Sequence, residues 1–110
     1  QIEFLESIWP GHVTVILQAN SSISPSIKDE NNTIGIRVSN HLPIISLLNS
    51  FNSLMVSTSA NISKFPTPDS LAEVKEIFND SDVAVYAHDN GDALKPSSII
   101  DLETMEYIRE

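Results

Sequence analysis

The stretch Ser57-Thr58-Ser59-Ala60-Asn61 places hydroxyl and amide side chains directly after an apolar run, Leu54 to Val56. If that run is a buried strand, its end leaves backbone N–H groups unpaired, and the short polar side chains let an anionic ligand come close to them. Such chemistry suits a phosphate, a carboxylate or a nucleotide. A solvated turn, with Ser and Asn bonding their own backbone, fits the same residues. Arg37 ends a second run that is otherwise apolar, just after Gly35. A guanidinium there can present a planar fork to a carboxylate, which a Lys cannot match. It can equally pair with an acidic neighbour such as Asp29 or Glu30. Ser97 and Ser98 stand at the start of a third run, Ile99-Ile100-Asp101, either as ligand contacts or simply as the lead-in to a strand.

Other chemistries find little support. His12, His41 and His88 are far apart and lack H-x-H or H-x-x-x-H spacing, and with no Cys in the chain no zinc site is expected. Asp89-Asn90-Gly91-Asp92 reads as a turn; the twelve-residue ligand pattern of a calcium loop is absent. There is no G-x-S-x-G, P-loop or Rossmann glycine pattern, and no residue demands the role of covalent nucleophile.

A length of 110 residues with 41% hydrophobic content allows one modest core in a single domain. No apolar stretch is long enough to span a membrane, so no membrane association is expected. The start Gln1-Ile2-Glu3-Phe4 has neither Met nor the shape of a signal peptide, and points to a fragment of something longer. The absence of Cys fits a reducing, cytoplasmic setting. A net charge of −9 argues against a broad nucleic-acid surface, because neutralising phosphates needs clustered Lys and Arg, and the 6 basic residues here are scattered. Convergence of a few of them could still build a small anion pocket.

The elements that must position these residues are legible from periodicity. Ile2, Leu5 and Ile8 give a short helix ending before Pro10. Strands are expected at Val13–Leu17, Thr33–Val38, Leu54–Ser57, Val83–Ala87, Ser98–Asp101 and Glu106–Arg109. Asn20 to Asn32 reads as an exposed loop with one helical turn near Ser26. Leu42, Ile45, Leu48 and Phe51 form a helical face suited to a sheet. Ser70-Leu71-Ala72-Glu73 is a capping box that opens a helix burying Leu71, Val74, Ile77 and Phe78. Alternating strands and helices predict an α/β fold, a mixed, twisted open sheet flanked by helices, with a crossover from Leu54 to Val83 making some strands parallel.

Four blocks in order, Trp9-Pro10-Gly11-His12-Val13-Thr14, Ile34-Gly35-Ile36-Arg37-Val38, Ser57-Thr58-Ser59-Ala60-Asn61-Ile62-Ser63 and Pro96-Ser97-Ser98-Ile99-Ile100-Asp101, resemble the YrdC-like family. Its usual forms are W-P-G-P-x-T, G-x-R-x-P, T-S-A-N-x-S-G and S-T-x-x-D. His12 replaces the family's Pro, Lys64 stands where Gly is common, and Ser98 keeps the hydroxyl of a Thr. The resemblance implies a YrdC-like fold and synthesis of threonylcarbamoyl-AMP from L-threonine, bicarbonate and ATP, with Mg²⁺ accompanying the ATP. The product feeds downstream proteins of tRNA modification. It implies that Arg37 and Ser97 hold threonine, and that Ser57, Ser59, Asn61 and Arg109 contact the nucleotide. Neither the family's P-T-D/E-T-x-Y-G-L segment nor its K-x-R motif occurs here. The resemblance therefore implies that residues 1–110 are the C-terminal part of one such domain, active only with the missing half. It also leaves room for a binding module without catalysis, since YrdC-like domains occur in carbamoyl-transfer enzymes of hydrogenase maturation and as RNA-binding modules, and for a degenerate remnant.

Overall fold

The β-branched run after Pro10 forms the centre of the sheet. In the computed structural model, which describes residues 1–88, 91 and 95–110, β1 (Val13–Gln18) pairs antiparallel with β2 (Thr33–Ile36) on one side. On the other side it pairs parallel with β3 (Ser98–Asp101), which in turn pairs antiparallel with β4 (Tyr107–Arg109). The result is a four-stranded mixed sheet in the order β2-β1-β3-β4. With the helices α1 (Ile2–Ile8), α2 (Leu42–Phe51) and α3 (Leu71–Ile77), this is the α/β architecture expected. A single 3₁₀ turn, Pro25–Ile27, interrupts the Ser- and Asn-rich loop. Among the described residues no helix is long and apolar enough to cross a membrane.

Period-2 alternation decides which face is buried. Val15 and Ile100 are opposite each other on β1 and β3, and with Leu102 they form the core, against which Phe4, Leu5, Ile8 and Trp9 lie. Burying side chains of this size stabilises by roughly 1.5–3 kcal/mol each. The α1 helix therefore covers one face of the sheet. It ends at Trp9, whose indole Nε1 donates to the Val13 carbonyl at 2.9 Å, and the Trp9–Pro10 bond is cis. Gly11 follows because nothing larger fits: a Cβ there would stand 2.7 Å from the Ile8 carbonyl oxygen.

The chain divides into two units, Gln1–Leu54 with Leu94–Glu110, and Met55–Ala93. The first holds the sheet. The second contains α3, opened as expected by Ser70, whose Oγ accepts from Glu73 N at 3.2 Å. Glu73 Oε2 accepts from Asp69 N rather than from the cap residue's own N–H.

Three expectations change. Leu54–Ser57 and Val83–Ala87 are not strands. Leu54 is 93% and Val56 78% exposed, so the apolar run has the composition of a strand without a neighbour to supply its hydrogen bonds. The parallel pair is β1 with β3, so the Ser70 helix does not link parallel strands. Finally, α2 leaves Leu42 and Phe51 exposed, and its apolar face is only half used. The Asp89–Asp92 turn falls largely outside the described residues; within it Gly91 has φ 81°.

Candidate active site

The face of the sheet away from α1 carries the polar groups. Its residues are those that alternate with Val15 and Ile100: Thr14 and Ile16 on β1, Ile99 and Asp101 on β3. Thr14 Oγ1 lies 2.8 Å from Ser97 Oγ. Arg109 reaches the same serine, its Nε donating to the Ser97 carbonyl at 2.8 Å and Nη2 to the Ser97 hydroxyl at 3.4 Å. Ser97 is buried at 7% exposure, Thr14 is half-buried, and Arg109 is exposed.

A register shift in the β3–β4 ladder puts Arg109 there. Ile100 pairs with Tyr107 while Ile99 pairs with Arg109, so Ile108 is the extra residue. Without that bulge Ile108 would oppose Ile99 and Arg109 would oppose Ser98, one pleat away. Bulges re-aim side chains in this way.

At the other edge, Gly35 faces Thr14 and Ile16 closely: a Cβ built on it would sit 3.2 Å from the Thr14 methyl. Arg37 directly follows β2. Arg37 is exposed. Asp29 is engaged locally, its Oδ1 accepting from Thr33 N at 2.9 Å and Asn31 N at 3.0 Å. In register, Thr14, Ile99 and Arg109 form one row across β1, β3 and β4; Arg37 stands one residue past the last β1–β2 pair, Val15 with Ile36.

Ser57, Ser59 and Asn61 belong to the other unit. There Thr58 to Asn61 border a hollow of about 600 Å³ whose wall is apolar, with Leu71, Val74 and Phe78 from the α3 region and Val83 to Tyr86 opposite. Ser59 and Asn61 line it; Ser57 does not. The rings of Tyr86 and His88 meet at a tilt of 54°, their centroids 4.4 Å apart. Asn61 differs from the expected phosphate donor. Its Nδ2 protons go to the Ile62 carbonyl at 3.0 Å and the Phe65 carbonyl at 2.8 Å, which closes its own loop. Its Oδ1 is buried without a partner, so what it offers a ligand is an acceptor, suited to a hydroxyl or amino group. Lys64, inside that loop, adopts φ 71°, the left-handed conformation that Gly takes without strain.

Two features of this site went unrecognised in the sequence. The bulge at Ile108 has no local signature. Thr14 did have a signal, since it closes the W-P-G-P-x-T pattern. His12, in place of the family's proline, holds the Lys95 carbonyl through Nε2 at 2.8 Å.

Residues 1–110 match the Sua5/YciO/YrdC family, described as Telomere recombination. The chain belongs to this family. Threonylcarbamoyl-AMP synthases are among its relatives: that of Aliivibrio fischeri is 29% identical over the whole chain, and that of Vibrio parahaemolyticus 30%. The Buchnera aphidicola protein of the same name is 36% identical over 92% of the chain. The chain spans about 60% of the length of the first two and 53% of the third. A match over more than half their length agrees with a partial Sua5/YciO/YrdC domain, but it does not sustain the narrower assignment to the C-terminal part.

Proposed function

We propose that this chain contributes the substrate-holding sheet face of a threonylcarbamoyl-AMP synthase. In this reaction the amino nitrogen of L-threonine bonds to the carbon of bicarbonate, with loss of water. An oxygen of the resulting carbamate then bonds to the α-phosphorus of ATP, and the bond from that phosphorus to the leaving pyrophosphate breaks. The product would serve tRNA modification. The observation that carries the reading is the row of Thr14, Ile99 and Arg109 on one face, with Ser97 bonded to Thr14 and Arg109 and with Arg37 directly after the neighbouring strand β2.

In this reading Arg37 grips the threonine carboxylate as a fork. Arg109, held by Ser97, faces the phosphates, where its charge offsets that of the departing pyrophosphate. Ser57, Ser59 and Asn61, in the other unit, are proposed by themselves as nucleotide contacts, with Asn61 accepting from a ribose hydroxyl or an amino group. Catalysis rests on positioning and electrostatics, with no covalent intermediate. Mg²⁺ is the companion of ATP in this reading. Turnover belongs to the whole domain, of which this chain is part, acting in the cytoplasm.

Isothermal titration of the chain with L-threonine and with ATP tests this. Binding of either ligand that weakens at least tenfold in Arg37→Ala for threonine, or Arg109→Ala for ATP, supports the reading. No binding of either ligand, or binding indifferent to both substitutions, overturns it.

A further inference from the structure

Thr14 and Ser97 share one hydroxyl–hydroxyl bond in which either can donate. Arg109 is donor-only, so its Nη2 must fill an acceptor position on Ser97 Oγ. Ser97 has a single proton, and its other recorded hydroxyl partner is Thr14 Oγ1, at 2.8 Å. If Ser97 donates to Thr14, every bond in the series points the same way, from Arg109 to Ser97 to Thr14, and each donor polarises the next. The Thr14 proton then ends the series without a partner among the described residues. Thr14 is half-buried where Ser97 is nearly closed off at 7% exposure, so Thr14 is the one within reach of a ligand. Its methyl packs closely against Gly35, two residues before Arg37.

We infer that Thr14 is a ligand-binding residue, donating its hydroxyl proton to an anionic oxygen that Arg37 holds from the other side, and that Ser97 is a positioning residue behind it. This rests on the proposed reading of the site and revises one role within it: Ser97 acts through Thr14 rather than on the ligand. The ligand chemistry is an oxyanion, either the carboxylate of an amino acid or a phosphate oxygen of a nucleotide. Arg37 follows β2, the strand paired directly with β1, which favours the carboxylate.

The test uses the whole chain and its Thr14→Val, Thr14→Ser and Ser97→Ala variants, titrated with L-threonine, with ATP and with L-threoninol, which lacks the carboxylate. Valine keeps the shape and strand preference of threonine, so it isolates the hydroxyl. The expected result is that Thr14→Val weakens L-threonine binding about tenfold, as loss of a hydrogen bond to a charged group does. Thr14→Ser restores that binding, and L-threoninol binding does not change. Adding Ser97→Ala to Thr14→Val should then have no further effect, because a residue acting through Thr14 has nothing left to position. A loss in ATP binding instead of L-threonine binding would assign the oxyanion to the nucleotide and overturn the carboxylate assignment. Wild-type binding that Thr14→Val leaves intact, or independent and additive effects of the two substitutions, would overturn the inference while leaving the proposed function standing. Absence of any wild-type binding would overturn both.

Discussion

Arg109 lies against Ser97 in a two-point contact, its Nε 2.8 Å from the serine carbonyl and Nη2 3.4 Å from the hydroxyl. Twelve positions separate the two residues in sequence, and the turn from β3 to β4 brings them together. The contact needs the edge of a guanidinium, because a Lys ammonium has no second donor at that spacing. Arg109→Lys should therefore lower stability by about 1 kcal/mol. Ser97→Ala should cost a similar amount, and the double variant less than the sum. Urea unfolding midpoints of the four proteins measure this; strict additivity would show that the contact is not formed.

Lys64 holds φ 71° in the loop closed by Asn61. A side chain in the left-handed region is strained by about 1 kcal/mol, and glycine is not. Lys64→Gly should raise the thermal midpoint, and Lys64→Ala, which keeps the Cβ, should not. A lower midpoint for the glycine variant would mean the strain is absent or that the lysine side chain has its own role.

Asp29 accepts from the Thr33 and Asn31 backbone N–H groups, and these bonds, that to Thr33 foremost, hold its carboxyl below the ordinary value of 3.8. A lowered folded-state value means the charged form is favoured by folding. The stabilisation is therefore complete above pH 3.8 and is lost as pH falls through the lowered value. Asp29→Asn should remove this part of the acid sensitivity of the turn that leads into β2. Amide exchange at Thr33 between pH 2 and 5 reads it, and identical pH profiles for wild type and variant would contradict the assignment.

Ser70 caps α3 through its bond from Glu73 N. Ser70→Ala should cost about 1 kcal/mol, and Ser70→Asp should cost little, since Asp caps as well. Circular dichroism during urea unfolding distinguishes the two; equal losses would place the stabilisation elsewhere.

Residues whose neighbours are local were legible in the sequence. Both α1 and α2 begin and end where periodicity and proline place them, and the Ser70 half of the capping box forms. Ser97 and Arg109 were singled out, and they meet. What the sequence concealed depends on partners distant along the chain. Leu54 to Val56 has strand composition, but pairing is a property of two segments, and the described sheet gives it no neighbour. The bulge that turns Arg109 rather than Ile108 toward Ile99 is a one-residue difference between paired strands, invisible along either alone. The use of Asn61's amide protons within its own loop likewise depends on where Phe65 folds back.

We propose that Arg37 meets the carboxylate of threonine and Arg109 the phosphates of ATP. Arg37 and Arg109 are the chain's only arginines, so its arginine Nε–H signals number two and can be assigned by a single substitution. Titration with L-threonine and ATP together, followed by ¹⁵N NMR, should move both signals along saturable curves, Arg37 more with threonine and Arg109 more with ATP. Saturable binding that leaves both signals in place would contradict the account.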